Sequence, residues 1–247
     1  MNNSNIKILQ ISVTLIACAF LFVPMILSVM AGVTANYFQG VSSGLTFKWV
    51  FQVWELYAES IFLSLGLAIA CLISTLIIGL PAAYGLARHP GWLSRILEEF
   101  ISLPLAVPGL ALALALLQLY GSIKGFRISW TFILVGHVLY TLPFMVRSIL
   151  AVLASMDLKT LEEGASTLGA SPWQRFRDIV VPNAMPGILA GSLTVVTLSI
   201  GEFNLTWMLH TPYLKTLPVG LADSYASMRL EIASAYTLVF FIIIVPL

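Results

Sequence analysis

MDLKTLEEGASTLGASPWQRFRDIVVPNAMP, residues 156–186, is a polar, charged interruption in a chain otherwise built of long apolar runs. Helix signals are written into it. Thr160 stands three residues before Glu163, the spacing of a capping box, and Gly169 offers a left-handed stop; Ser171 then opens a second helix, with Pro172 at its first position and Gln174 three residues after the cap. The expected structure is a helix, a tight Gly-Ala turn and a second helix ended by Pro182. Small residues gather at the junction, namely Gly164, Ala165, Ser166, Gly169 and Ala170, and Trp173 and Phe176 stand beside them as large apolar anchors. Small side chains let another backbone come close, so the segment is shaped for docking onto a partner. The alternative is an amphipathic loop lying on lipid headgroups, for which Arg175 and Arg177 are suited.

Outward from this segment the composition sets the class. Of 247 residues, 59% are hydrophobic and 9% charged, against roughly 45–50% and about 25% in ordinary soluble domains. A water-soluble globule is excluded, because only lipid could cover so much apolar surface. Twelve basic and eleven acidic side chains nearly cancel, so no nucleic-acid partner is expected. Cys18 and Cys71 both lie in apolar runs and read as packing or lipid-facing residues rather than ligands or a disulfide.

A helix needs about 20 apolar residues to cross hydrocarbon, and the charge-free stretches predict six spans. The first runs from residue 8 to about Gly32, followed by an Asn-, Gly-, Ser- and Thr-rich loop. Residues 60–87, 100–123 and 128–146 give the next three. The fifth runs from about Pro186 to His210, and the sixth starts near Glu231 and is still apolar at Leu247. Its uncharged residues rise only about 24 Å, so this span is expected to be incomplete in the sequence given. The N-terminal run is long and lacks a small-x-small exit, which favours a retained anchor over a cleaved signal peptide. The fold class is therefore all-α: a polytopic membrane protein with six transmembrane helices and a helix-turn-helix over 155–183. Two regions are expected, 1–59 with the first helix and an external loop, and 60–247 with the remaining five helices.

Lys and Arg near the span ends set the orientation. With the N-terminus in the cytoplasm, Lys7, Arg88, Arg95, Arg147, Lys159, Arg175 and Arg177 fall inside, and Lys48, Lys124, Arg127, Lys215 and Arg229 outside. That majority places residues 155–178 in the cytoplasm. Prolines 24, 81, 104, 108 and 143 and glycines 66, 79, 109 and 136 interrupt the spans, as in helices that pack closely or move against one another. No catalytic, metal-binding or phosphate-binding pattern is found: there is no His-Glu-x-x-His, Cys-x-x-Cys, Gly-x-Ser-x-Gly or Gly-x4-Gly-Lys-Ser/Thr, and His89, His137 and His210 are far apart. The chain is expected to be no enzyme and to carry no cofactor. If ATP drives it, another subunit binds the nucleotide.

The pattern Glu163-Gly164-Ala165, then Gly169 six positions after the Glu, then Ile179-x-Val181-Pro182, resembles the "EAA" loop of bacterial ABC-importer permeases, the membrane subunits of binding-protein-dependent type I importers. Ser64–Arg88 and Leu103–Leu117 resemble that family's second and third spans, and the likeness covers roughly residues 60–247. Gly164 stands where the family has alanine and Val181 where it has leucine, and the end of the sixth span departs further. The resemblance implies a loop held in a cleft of the ATP-binding subunit, with Glu163, Gly164, Ala165, Gly169 and Pro182 as ATPase-coupling residues. It also implies ATP-binding cassette subunits, a second permease chain or a second copy of this one, and a periplasmic binding protein as partners in the inner membrane.

Ile200-Gly201-Glu202-Phe203-Asn204 places a carboxylate inside the fifth span, where it must face protein or water. Glu202 and Asn204 are candidate lining of a substrate pathway; the alternative is a structural pair of Glu202 with Arg147 or a helix-helix hydrogen bond. Gly-Glu-Phe here resembles permeases for sulfate, molybdate, iron, polyamines and 2-aminoethylphosphonate, and the layout resembles the polyamine and 2-aminoethylphosphonate branch. A stand-alone secondary transporter or channel is the competing class, but no similarity joins residues 8–120 and 128–247 as inverted repeats would require.

Overall fold

Hydrocarbon offers no water to satisfy backbone amides, so apolar runs must close their hydrogen bonds within helices. In the computed structural model, which describes residues 3–246, they do. The elements are α1 (Asn3–Ala31), α2 (Lys48–Arg88), α3 (Trp92–Ala106), α4 (Gly109–Tyr120), the short α5 (Lys124–Arg127), α6 (Trp130–Ala154), α7 (Leu158–Thr167), α8 (Pro172–Arg175), α9 (Val181–Gly201), α10 (Asn204–Leu209), α11 (Leu217–Ala226) and α12 (Leu230–Ile244). A 3-10 turn occupies Gly40–Ser43, a π turn occupies Phe176–Val180, and no strand occurs among the described residues.

The six expected spans correspond to four helices long and apolar enough to cross a membrane, one bent pair and one shorter apolar helix. The second span begins well before residue 60, since α2 has 41 residues and rises about 61 Å, roughly twice the hydrocarbon thickness. The third is not straight: α3 and α4 meet at 103°. Pro108 causes the break, because its ring drives the preceding residue out of the helical region, and Val107 is extended at φ −98°, ψ 127°. The fifth also departs from expectation. Pro182 does not end the second hairpin helix; α8, the π turn and α9 run on as one 30-residue rod, Pro172–Gly201. The wider π turn shifts the carbonyl that a proline ring would otherwise strike, which lets the helix continue. That rod stops at Glu202 (φ −70°, ψ 118°), and α10 is a separate short helix. Leu247, where the sixth span was expected to stop unfinished, lies outside the described residues.

The chain divides into two units, residues 1–59 with 220–246, and residues 60–219. In the first, α1 packs on α12, and Gly32 permits the contact because a Cβ there would lie 2.3 Å from the Ala235 nitrogen. The Tyr57 and Tyr236 rings meet at a tilt of 33° with centroids 4.8 Å apart, and Glu231 accepts the Tyr37 amide at 3.0 Å. In the second, α6 and α9 form the principal helix pair. Gly187 and Gly191, one turn apart, make the seam: a Cβ at Gly187 would lie 2.5 Å from the Ser148 carbonyl oxygen, and one at Gly191 2.9 Å from Met145 Sδ. Cys71, Met145, Ile149, Leu153, Ala184 and Val195 fill the core around it. A second cluster gathers Leu67, Leu116, Phe132, Leu205 and Leu209 where α4, α6 and α10 meet.

Candidate functional site

Residues 157–180 form the hairpin that the sequence predicts, with one change at its start. Asp157, not Thr160, caps α7: its carboxylate accepts the Thr160 amide at 3.2 Å and the Thr160 hydroxyl at 2.6 Å. Those bonds, the hydroxyl's foremost, hold the Asp157 carboxyl below its ordinary pKa. With its hydroxyl spent on Asp157, Thr160 is itself inside the helix and cannot cap it. The helix ends in a Schellman turn, in which Gly169 (φ +83°) donates to Ser166 O at 3.0 Å and Ala170 donates to Ala165 O at 3.1 Å. Ser171 and Gln174 complete the expected capping box.

The turn presents an open face. Glu163, Gly164 and Gly169 are exposed, and nothing lies within 4 Å of a Cβ built on either glycine. Leu168 is 89% exposed at the tip, with Trp173 at 66% beside it. Glu163 pairs only loosely with Lys159, at 3.8 Å. Between the two arms lies a hollow of 330 Å³ lined by Ala165, Gly169, Ala170, Gln174, Arg175 and Asp178. The Arg175 Nε is buried there with no acceptor. Pro182 lies one turn further on, exposed at the start of α9.

The inner side of the hairpin carries residues that the sequence did not single out. Glu162 is 4% exposed, although its neighbour Glu163 is in solvent. Its Oε1 accepts the Tyr84 hydroxyl at 2.5 Å, its Oε2 lies 3.5 Å from Arg88 Nε, and Arg88 Nη1 donates to the Tyr84 hydroxyl oxygen at 2.8 Å. Phe176 of the second arm packs edge-on against the Tyr84 ring at 5.4 Å. The readable signal was helical phase: Leu158 and Glu162 are one turn apart, on the face that α7 buries.

Glu202 and Asn204 lie elsewhere, 20 residues and about 30 Å along α9 from Pro182. Glu202 sits at the break between α9 and α10 and closes the first turn of α10. Its carboxylate accepts the Leu205 amide at 3.0 Å, the Thr206 amide at 3.1 Å and the Thr206 hydroxyl at 3.3 Å. A Cβ on Gly109 would stand 3.4 Å from its Oε1, so the first residue of α4 abuts the same carboxylate. Two half-helix starts thus converge on one carboxyl group, whose acceptor oxygens suit amides that have no partner within their own helix. His137 extends the network: Nδ1 lies 2.9 Å from Ser199 Oγ and Nε2 2.8 Å from Thr206 Oγ1. With the proton on Nε2 every bond runs one way, from Ser199 to His137 to Thr206 to Glu202. Arg147 is ten residues, about 15 Å, along α6 from His137, exposed, and forms no part of this network. Asn204 is exposed beside Glu202 at a recess of 230 Å³ that Tyr140, Thr197 and Phe203 also line. Among the described residues no group of three or more His, Cys, Asp and Glu side chains could hold a metal ion.

Long apolar helices, two of them broken where polar groups collect, and a polar hairpin set between spans define a membrane transport subunit. Residues 75–247 match the family described as "Binding-protein-dependent transport system inner membrane component". The chain belongs to that family, the permease subunits of ABC transporters. Relatives include a probable sulfate transport system permease of Chlorella vulgaris, 32% identical over 52% of this chain and 52% of that protein. A putative 2-aminoethylphosphonate permease of Salmonella typhimurium is 26% identical over 82% of this chain and 77% of that one. The spermidine/putrescine permease PotB of Salmonella typhimurium is 33% identical over 60% and 57%. The chain thus spans between about half and three quarters of the length of these relatives. Its fold is shared with a chain of a bacterial alginate ABC transporter solved with a pentasaccharide-bound periplasmic protein, at TM-score 0.77, 16% identity and 98% and 92% coverage.

Proposed function

We propose that the chain is the membrane-spanning subunit of an ATP-driven importer whose 155–183 hairpin docks, on the cytoplasmic side, into a separate ATP-hydrolysing subunit. The observation that carries this is the hairpin tip: a leucine left 89% exposed and two glycines with open space around them form a surface made to be covered. Glu163, Gly164, Ala165 and Gly169 belong to that surface, and Pro182 begins the helix that leaves it. A second permease chain or a second copy completes the pore, and a periplasmic binding protein delivers the solute. The N-terminus is then cytoplasmic.

Of the relatives named above, the one matched over most of the chain carries the label 2-aminoethylphosphonate, and another the label spermidine/putrescine. They support a small amino-bearing solute, a polyamine or 2-aminoethylphosphonate, as cargo. Glu202 and Asn204 border the recess at the broken helices, the kind of place where transporters put their pathway. The docking reading is tested by placing a cysteine at Leu168 in a chain lacking Cys18 and Cys71. A crosslink to the ATPase subunit supports it. Modification by a membrane-impermeant thiol reagent added to the outside of intact cells places the hairpin on the wrong side and overturns it.

A further inference from the structure

The hairpin is joined by the chain itself to α6, through Ser155–Asp157, and to α9, through the π turn. It touches α2 only through side chains, and these converge on one turn. Tyr84 and Arg88, four residues apart at the end of α2, both bind Glu162 of the first arm, and the Tyr84 ring also meets Phe176 of the second. From this convergence we infer that Tyr84, Arg88 and Glu162 are positioning residues that pass movement of the docked hairpin to α2, as a link separate from the covalent one to α9. The inference rests on the docking reading above.

Three physical features support it. Glu162 is buried and faces away from the docking surface, so its role is not contact with the partner. A buried carboxylate held by a guanidinium and a phenol is costly to separate from them, because it would be left without compensation. The 2.5 Å bond from Tyr84 to Glu162 tolerates little displacement before it weakens steeply, and the Arg88–Glu162 ion pair at 3.5 Å acts beside it, so movement of α7 draws the end of α2 along. Room for that shift exists. A cleft of 570 Å³ opens between the end of α2, the start of α3 and the link from α6 to α7, with Arg88, Arg95, Glu98, Asp157 and Lys159 on its walls.

The test uses the whole complex, with its ATPase and companion subunits, reconstituted in proteoliposomes. Variants are Glu162→Gln, Tyr84→Phe and the exchange Arg88→Glu with Glu162→Arg. Two readouts are taken: ATPase subunit retained on the purified complex, and solute moved per ATP hydrolysed. The expected result is retention close to wild type, solute per ATP down by about tenfold in Glu162→Gln and by a smaller factor in Tyr84→Phe, and recovery in the exchange variant. Should Glu162→Gln fail to fold, Tyr84→Phe decides, since it keeps the ring packing and removes only the hydroxyl. Solute per ATP within about twofold of wild type in the folded variants overturns the inference and leaves docking standing. Loss of transport in step with loss of the ATPase overturns it too, reducing the three residues to supports of the docking surface. A wild-type complex that retains no ATPase overturns both readings.

Discussion

Replacing Gly169 separates two roles that one glycine can play in a docking turn. Its φ of +83° is a conformation that costs an L-residue such as alanine about 1–2 kcal/mol, while asparagine tolerates it with much less strain. Nothing lies within 4 Å of a Cβ at this position, so no clash inside the chain adds to that figure. Gly169→Ala should therefore lower the population of the closed turn by about 5- to 30-fold, and Gly169→Asn should leave it nearly intact. Against a partner seated on the tip the order changes, because both side chains project where the partner backbone must lie. The assay is titration of purified ATPase subunit against the chain in nanodiscs, with hydrogen exchange at the Gly169 and Ala170 amides, which bond back to Ser166 and Ala165. Both variants are expected to lose binding and only Gly169→Ala to lose amide protection. If Gly169→Asn binds the ATPase as wild type does, the glycine serves only the turn and the partner sits elsewhere.

Three further outcomes follow from the geometry. Glu202→Ala strips the Leu205 and Thr206 amides of their acceptor and should destabilise the complex by about 2 kcal/mol or more, seen as a lower thermal midpoint. Glu202→Gln keeps an acceptor oxygen; if transport fails while the midpoint holds, the charge itself serves the pathway. Gly187→Ala would set a Cβ against the backbone of Ser148 and Ile149, which cannot yield, at a cost of about 1–3 kcal/mol by thermal unfolding. Gly85→Ala, with open space around it inside α2, is the clash-free control and should leave thermal stability unchanged or raise it by about 0.5–1 kcal/mol. The Asp157 carboxyl has a depressed pKa in the folded state, so its cap is at full strength above the unfolded value near 3.8 and is lost as pH falls through the folded one. The protection factor of the Thr160 amide, its unstructured exchange rate divided by the observed one at the same pH, should be flat near neutral pH and fall only in that acid window, and Asp157→Asn should abolish the dependence while keeping a cap.

What could be read in advance was what is local. Gly169 and the Ser171-Gln174 box act within four residues, and both stand where the sequence placed them. The start of α7 was misplaced because Asp157 and Thr160 are both competent caps, and the choice depends on which one spends its oxygen on the other. Charge-free counting found the third span but not its bend, although Val107-Pro108-Gly109 spells one. It also could not show that a π turn would carry a helix through Pro182. The partners of Glu202 were only half legible: two are amides of the next turn, while His137 reaches the network through Thr206 from 65 residues earlier in the chain. Glu162 and Glu163 look alike in sequence, and only helical phase against Tyr84 makes one buried and the other exposed.

The run from Pro172 to Gly201 is a single continuous helix of 30 residues, about 45 Å long. Pivoted near its hairpin end, a tilt of about 5° sweeps its far end sideways by about 4 Å, more than the diameter of a water molecule. The far end is where Glu202 caps α10 beside the first residue of α4. In the proposed transport role, a small angular stroke at the hairpin end of such a helix would therefore be read out at depth as a displacement the size of a water molecule.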